Sequence, residues 1–217
     1  TGNSDNNSIT NNTIYTNGTG ASNYGMELVT NALNNIVTDN IIYTNGTNTN
    51  AGITLNNIVN NNTVSRNIIN SNGMSGGNNR GIYLPQIASN NTITSNTIST
   101  HGFNNGEGIY IASSSNKNLV ANNVISTHGS TGSNSGIVLY SSVRDNNVSN
   151  NTVNTSGTSY NYGIQLSSTA GNNTITSNTI RTNGSSGPNH GIYLVTSVAN
   201  NTITSNMITT DGTSTNY

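Results

Sequence analysis

Two glycines separated by a constant interval recur through the chain and constrain its fold more than any other feature. The first begins a Gly-aliphatic-x-aliphatic tetrapeptide, and the second lies 21 residues later, as Gly102 follows Gly81. The first glycines are Gly25, Gly52, Gly81, Gly108, Gly136, Gly163 and Gly191, so the copies begin every 27 to 29 residues. All of the length variation falls between the second glycine and the next first glycine. Such a repeat predicts a stacked array of similar units.

Two asparagines keep their position in every copy, including a partial copy at the N-terminus. An aliphatic residue follows each of them two positions later, as Ile93 follows Asn91 and Ile98 follows Asn96. The first set is Asn7, Asn35, Asn62, Asn91, Asn118, Asn146, Asn173 and Asn201; the second set is Asn12, Asn40, Asn67, Asn96, Asn123, Asn151, Asn178 and Asn206. Since stacked strands lie about 4.8 Å apart, each set predicts a ladder of amide-to-amide hydrogen bonds.

Alternation of apolar and polar residues predicts three short strands in each copy, because successive side chains of a strand point to opposite faces. In the copy from Gly81 to Gly102 the first two strands are GIYL and NTIT, and the third begins with the next TI. A six-residue corner, 85–90, follows the first strand, and a tight corner at Ser95 and Asn96 follows the second. Asparagine tolerates the left-handed conformation of a sharp corner, and Gly102 is expected to form the third corner.

Strands of two to four residues cannot form hairpins within one copy, so each is expected to pair with the same strand of the next copy. We therefore predict one all-β domain over residues 1–217, a single-stranded parallel β-helix of about eight coils with three short strands in each. Neither end carries an evident cap. The chain is accordingly expected to be part of a longer solenoid or a subunit that stacks end to end in a filament.

Composition excludes several partners. Only 5% of the residues are charged, the formal net charge is −1, and there is no cysteine. A chain of this kind lacks the basic face that attracts nucleic acid or an anionic membrane, and no apolar run is long enough for a membrane span. We expect none of these partners, no disulfide and no cofactor.

The order of GIxL, six residues, NNTIxxNxI and a variable turn resembles the right-handed parallel β-helix repeats of the pectate-lyase-like superfamily. The resemblance covers essentially the whole chain and implies a right-handed coil, which the crossover rule for parallel strands also favours. It leaves the function open, since that superfamily includes polysaccharide lyases and hydrolases, phage tailspikes, surface adhesins and periplasmic copper-maturation proteins of nitrous oxide reductase.

The charged residues favour a non-catalytic member. Enzymes of the superfamily carry acidic clusters along one sheet face, whereas the outward position of GIxL here reads Glu27, Thr54, Tyr83, Tyr110, Val138, Gln165 and Tyr193. One carboxylate cannot form a general acid/base pair or a calcium cage. Six other charges are predicted to form opposite-sign neighbours in adjacent coils, namely Asp39 with Arg66, Arg80 with Glu107, and Lys117 with Asp145.

His101 and His128 occupy the same position in adjacent coils and are a weak candidate pair for a metal ion. Asn72 and Ser156 flank them in the column, so no third ligand of a suitable type is present. Because most zinc sites have three or four protein ligands, packing at the corner is the alternative and no metal is expected.

Three surface features suggest binding. Tyr83, Tyr110 and Tyr193, and the pair Tyr15 and Tyr43, form aromatic columns that can hold sugar rings, although ordinary cross-strand packing also explains them. Three outward Thr-x-Thr rows resemble those of ice-binding solenoids: Thr92 with Thr94, Thr174 with Thr176, and Thr202 with Thr204. Ile36, Leu119 and Ala121 interrupt this array. Sequons at Asn17, Asn45 and Asn183 permit N-glycosylation in a secreted protein.

Together these patterns predict an extracellular or cell-surface structural solenoid that stacks end to end with itself. The alternatives are a carbohydrate-binding or carbohydrate-active β-helix, for which glycans are the partner, and an ice-binding solenoid.

Overall fold

The structure is a computed structural model that describes residues 3–20, 22–73, 77–213 and 215–217. All regular elements of these residues are β-strands, arranged in three parallel sheets. Each strand pairs with the corresponding strands of the coils before and after it, as Ile93 pairs with Val64 and Val120. The predicted all-β parallel solenoid is therefore confirmed. The described residues contain no helix of the length and apolarity needed to cross a membrane.

The first sheet holds the NTIT segments and the second sheet holds the segments that follow them. The first sheet consists of β1 (Ser8–Thr10), β4 (Ile36–Thr38), β7 (Thr63–Ser65), β10 (Thr92–Thr94), β13 (Leu119–Ala121), β16 (Asn147–Ser149), β19 (Thr174–Thr176) and β22 (Thr202–Thr204). The second sheet consists of β2 (Thr13–Thr16), β5 (Ile41–Gly46), β8 (Ile68–Gly73), β11 (Thr97–Gly102), β14 (Val124–Gly129), β17 (Thr152–Gly157), β20 (Thr179–Gly184) and β23 (Met207–Thr210).

The third sheet holds the Gly-aliphatic-x-aliphatic segments. It consists of β3 (Ser22–Val29), β6 (Thr49–Asn56), β9 (Asn79–Gln86), β12 (Gly106–Ala112), β15 (Asn134–Tyr140), β18 (Asn161–Ser167) and β21 (Asn189–Val195). These strands are longer than the sequence predicted, because they begin two or three residues before the glycine. The second-sheet strands between β2 and β23 likewise run on to the second glycine, where a corner was expected.

The core is a stack of aliphatic side chains, one from each predicted inward position. Ile82, Leu84, Ile93 and Ile98 of one coil are at most 1% exposed. The six-residue corner also contributes a small inward residue that the sequence did not reveal, as Ala88 does in the same coil. Because each coil contacts like side chains above and below, the core is continuous along the axis.

The left-handed corner residue is the one before each ladder asparagine. In the coil from Gly81 to Gly102 these are Asn90, with φ of 56°, and Ser95, with φ of 57°, and Ile87 within the six-residue corner is also left-handed, with φ of 47°. The expectation that Gly102 forms a left-handed corner was wrong, since Gly102 lies inside β11 and Gly132 is the one glycine with positive φ among the described residues. A Cβ atom at Gly102 would overlap the Asn79 Nδ2 atom, so the position excludes a side chain for lack of space.

Candidate functional site

Both predicted asparagine ladders run without interruption through the solenoid. At each step the backbone N–H and the Nδ2 group of one asparagine donate to the Oδ1 of the next, as Asn96 does to Asn123 at 3.0 Å for both bonds. The Nδ2 group of Asn96 also donates to the Val64 carbonyl at 2.9 Å. The ladder positions are almost completely buried in the middle of the chain. The repeated asparagines are therefore explained by corner stacking.

A third asparagine ladder lies two residues before each first glycine, and the sequence reading missed it. Asn50 donates to Asn79 at 2.8 Å, and Asn161 donates to Asn189 at 3.2 Å. The column is Asn23, Asn50, Asn79, Gly106, Asn134, Asn161, Asn189 and Asn216. Gly106 interrupts the ladder, and Asn23 donates to the Gly20 carbonyl instead of to Asn50. No larger residue fits at the second glycine positions, because the asparagine side chains of this ladder pack against them.

A buried ion pair lies on the third sheet under two tyrosine rings. Arg80 Nε donates to Glu107 Oε2 at 2.6 Å, and the two side chains are 8% and 11% exposed. The guanidinium carbon lies 4.1 Å from the centre of the Tyr83 ring and 4.4 Å from that of Tyr110. The two rings meet edge to face at 5.8 Å. The predicted pairing of Arg80 with Glu107 is present. The tyrosine rings cover the ion pair, which the column positions alone did not indicate.

The electrostatics of this cluster follow from its burial. Burial raises the pKa of Glu107, and the charge and hydrogen bond of Arg80 oppose that rise. Burial also raises the pKa values of Tyr83 and Tyr110 above the ordinary tyrosine range, so both phenols are neutral at pH 7. Within the cluster the carboxylate and the guanidinium cancel each other's charge, leaving neutral tyrosine rings above them.

Tyr193 belongs to a separate group of rings, which we call the C-terminal aromatic cluster and define as Tyr160, Tyr162, His190, Tyr193 and Tyr217. Tyr162 and Tyr193 stack with ring centres 4.7 Å apart and an interplanar angle of 11°. His190 stacks on Tyr217 at 4.8 Å and contacts Tyr193 at 4.7 Å. Burial raises the pKa of Tyr162 to about 12. The sequence identified Tyr193 but not its partners, which lie in neighbouring columns.

The other charges only partly follow the predicted pairing. Arg66 and Asp39 form the expected two-bond contact at 2.8 and 2.9 Å on the surface. Lys117 and Asp145 precede bonded ladder asparagines in adjacent coils, as predicted, but form no ion pair. Both side chains are exposed, where water weakens the attraction. A pair that the sequence reading missed joins Arg181 to Asp211 at 2.9 Å, diagonally between coils.

His101 and His128 lie side by side on the second sheet. Their strands β11 and β14 pair residue for residue, and their ring centres are 5.8 Å apart with an interplanar angle of 43°. Both border a shallow hollow of about 270 Å³ that Phe103 and Ser130 also line. Burial, and next the charge of His128, lower the pKa of His101. Among the described residues no three His, Cys, Asp or Glu side chains cluster as a metal site.

The remaining candidates lie on exposed faces. Tyr15 stacks on Tyr43 with ring centres 4.9 Å apart on the second sheet. The sequon asparagines Asn17, Asn45 and Asn183 are all exposed beside the ends of second-sheet strands. The Thr-x-Thr rows form the outer face of the first sheet. Leu119 and Ala121 pair directly with one row, at Thr92 and Thr94, and Ile36 pairs with Thr63 of a Thr-x-Ser segment.

Comparison with known proteins agrees with this geometry. A family profile for the right-handed β-helix region matches residues 75–217, about two thirds of the chain. No match was found among curated proteins or among solved structures. The three parallel sheets, the coil length and the matched profile together show that this chain belongs to the family of right-handed parallel β-helix proteins.

Proposed function

We propose that this chain is a non-catalytic structural module, a stiff segment of an extracellular surface or filament protein. The observation that supports the proposal is the use made of the repeated residues. At both sets of repeated glycines neighbouring atoms leave no room for a side chain. All sixteen predicted ladder asparagines form hydrogen bonds within the stack. The repeat therefore serves axial stacking, which is what a rod requires.

Self-association end to end is part of this proposal, and the direction of the ladders supports it. At each step the N-terminal asparagine donates and the C-terminal one accepts, as from Asn7 to Asn35 at 2.9 Å and from Asn178 to Asn206 at 3.0 Å. A second copy stacked in the same direction continues the ladder. An inverted copy places donors against donors at the C-terminal edge, or acceptors against acceptors at the N-terminal edge. The association is therefore head to tail and gives an open filament.

Electron microscopy and sedimentation velocity over a range of concentrations test the filament. We expect the protein to form fibres, and Asn12→Arg to prevent them, because Asn12 faces the coil edge with no residue of the described chain donating to its Oδ1. Asn154→Arg is the control, since Asn154 is exposed on the side of the rod. Particles of one chain at every concentration, or equal assembly by both variants, contradict the filament proposal.

Glycan binding is a second candidate, which the tyrosine clusters of the third sheet favour. The half-buried Tyr193 ring stacks on the buried Tyr162 ring and presents an aromatic surface of the amphipathic kind that receives sugar rings. We expect soluble oligosaccharides to bind to this face, and Tyr193→Ala to weaken binding by up to about tenfold, since one aromatic contact contributes about 0.5–1.5 kcal/mol. Tyr15→Ala on the second sheet should have no effect. Equal losses in both variants contradict a site on the third sheet.

The extracellular location is also a proposal, and the exposed sequons give it a test. Asn17, Asn45 and Asn183 are accessible to a glycosyltransferase. Mass spectrometry of native material is expected to find glycans on these three asparagines, whereas unmodified peptides at all three argue against N-glycosylation.

A further inference from the structure

The second sheet places two imidazoles in one shallow hollow, each with one ring nitrogen engaged. The Nδ1 atom of His128 lies 3.1 Å from Ser156 Oγ, and the Nδ1 atom of His101 lies 3.4 Å from Ser99 Oγ. When Nδ1–H donates to a serine hydroxyl, Nε2 is unprotonated and carries a free lone pair. Metal-binding histidines are oriented in the same way, with the second ring nitrogen donating to a neighbouring group.

The spacing of the rings suits joint ligation. With metal–nitrogen bonds of about 2.0–2.1 Å and a tetrahedral angle, the two ring centres lie about 5 Å apart. The observed separation is 5.8 Å, so the side chains must rotate to bring both Nε2 atoms to one ion. The rings lie on adjacent strands whose register is fixed on both sides of them, so the backbone holds the pair in place.

We propose that His101 and His128 form a two-imidazole site for a borderline divalent metal ion, of the class of Cu²⁺, Ni²⁺ or Zn²⁺. Imidazole nitrogen suits these ions, whereas Mg²⁺ and Ca²⁺ prefer oxygen ligands. Two protein ligands leave the remaining positions to water, and the hollow is open to solvent. A bound ion would link two consecutive coils through their side chains and stabilise the folded state by mass action.

The electrostatic surroundings of the pair favour binding of a cation. The lowered pKa of His101 keeps that ring neutral at pH 7. The described groups around the pair are uncharged: Asn72 and Ser156 in the same column, and Phe103 and Ser130 across the hollow.

Titration of the full chain with CuCl₂ tests the proposal, followed by calorimetry and by electron paramagnetic resonance. We expect one equivalent to bind with hyperfine coupling to two nitrogens, and the midpoint of thermal unfolding to rise with added Cu²⁺. His101→Asn and His128→Asn should each weaken binding at least about tenfold and reduce the coupling to one nitrogen. His190→Asn is the control, because His190 lies within the C-terminal aromatic cluster and should not affect binding.

Circular dichroism of each variant without metal separates loss of the site from loss of the fold. No saturable binding, an unchanged affinity in the double variant His101→Asn/His128→Asn, or a loss caused equally by His190→Asn overturns the proposal. A coupling to one nitrogen in the parent protein also overturns it, since that result indicates a single ligand.

Discussion

Replacing Asn96 by alanine tests whether the asparagine ladders hold the coils together. Asn96 is fully buried, donates three hydrogen bonds and accepts two, from the backbone N–H and the Nδ2 group of Asn67, each at 3.0 Å. Truncation removes the acceptor of the Asn67 backbone N–H and the amide that donates to the Val64 carbonyl. The Nδ2 group of Asn67 keeps its bond to Val37.

The expected loss of stability follows from the groups left without a partner. A buried donor or acceptor that loses its partner costs about 1–3 kcal/mol, so two such groups give about 2–6 kcal/mol for Asn96→Ala. Asn12→Ala removes the same amide from an exposed position, where water replaces the bonds to Asn40 and Thr10. Its cost should be about 1 kcal/mol or less, as for an ordinary hydrogen bond.

Thermal and urea unfolding followed by circular dichroism measure the difference between these two variants. For a chain of this size 1 kcal/mol corresponds to about 2–4 °C, so Asn96→Ala should unfold at least about 4 °C below the parent protein. Equal losses in Asn96→Ala and Asn12→Ala would refute the reasoning, because the ladder bonds would then contribute no more in the interior than at an exposed end.

Three further outcomes are expected. Gly108→Ala should lower the free energy of unfolding by about 1–3 kcal/mol, since its Cβ would lie 2.5 Å from the Gly136 carbonyl oxygen. Gly106→Ala in the same strand should cost less, because its nearest contact is 3.3 Å, and similar unfolding curves for the two variants contradict this. Gly106→Asn should fill the gap in the third ladder and raise stability by about 1 kcal/mol, and a lower unfolding midpoint would show that the gap does not accept the amide. Glu107→Gln should cost about 3–5 kcal/mol in urea unfolding by leaving the Arg80 cation buried without its partner, and a parent-like curve would mean that water reaches the cation.

The sequence predicted the coils and two of the ladders because those features repeat without exception. An amide column needs the same residue in every coil, and an aliphatic two positions later fixes which side faces inward. The third ladder escaped detection because Gly106 interrupts it. It also lies beside the variable joint, where a change in segment length hides the phase of Asn50 and Asn79 unless the copies are aligned on the glycine that follows.

Column positions predicted which charges are neighbours but not the strength of their contact. Arg80 and Glu107 are buried because the rings of Tyr83 and Tyr110 cover them, and those rings come from three residues further along each strand. Pattern reading treats the two outward positions as independent columns, whereas side chains of this length reach across them. The pairing was therefore predictable, and the burial that raises the pKa of Glu107 was not.

The same physical constraint indicates where function can reside. Inward positions contact nearly identical neighbours above and below, so a substitution there creates a clash or leaves a buried group unpaired, as at Gly108 or Asn96. Substitutions at outward positions away from such contacts change the free energy of unfolding little, and at these positions the residue type differs from coil to coil. His128 stands in a column where the next coils carry Ser156 and Asn183. A residue that departs from its column at an exposed position is not required by stacking. His128→Asn is therefore expected to unfold at the parent temperature without metal, and a large loss of stability in that variant would mean that the histidine column is part of the fold and not a site.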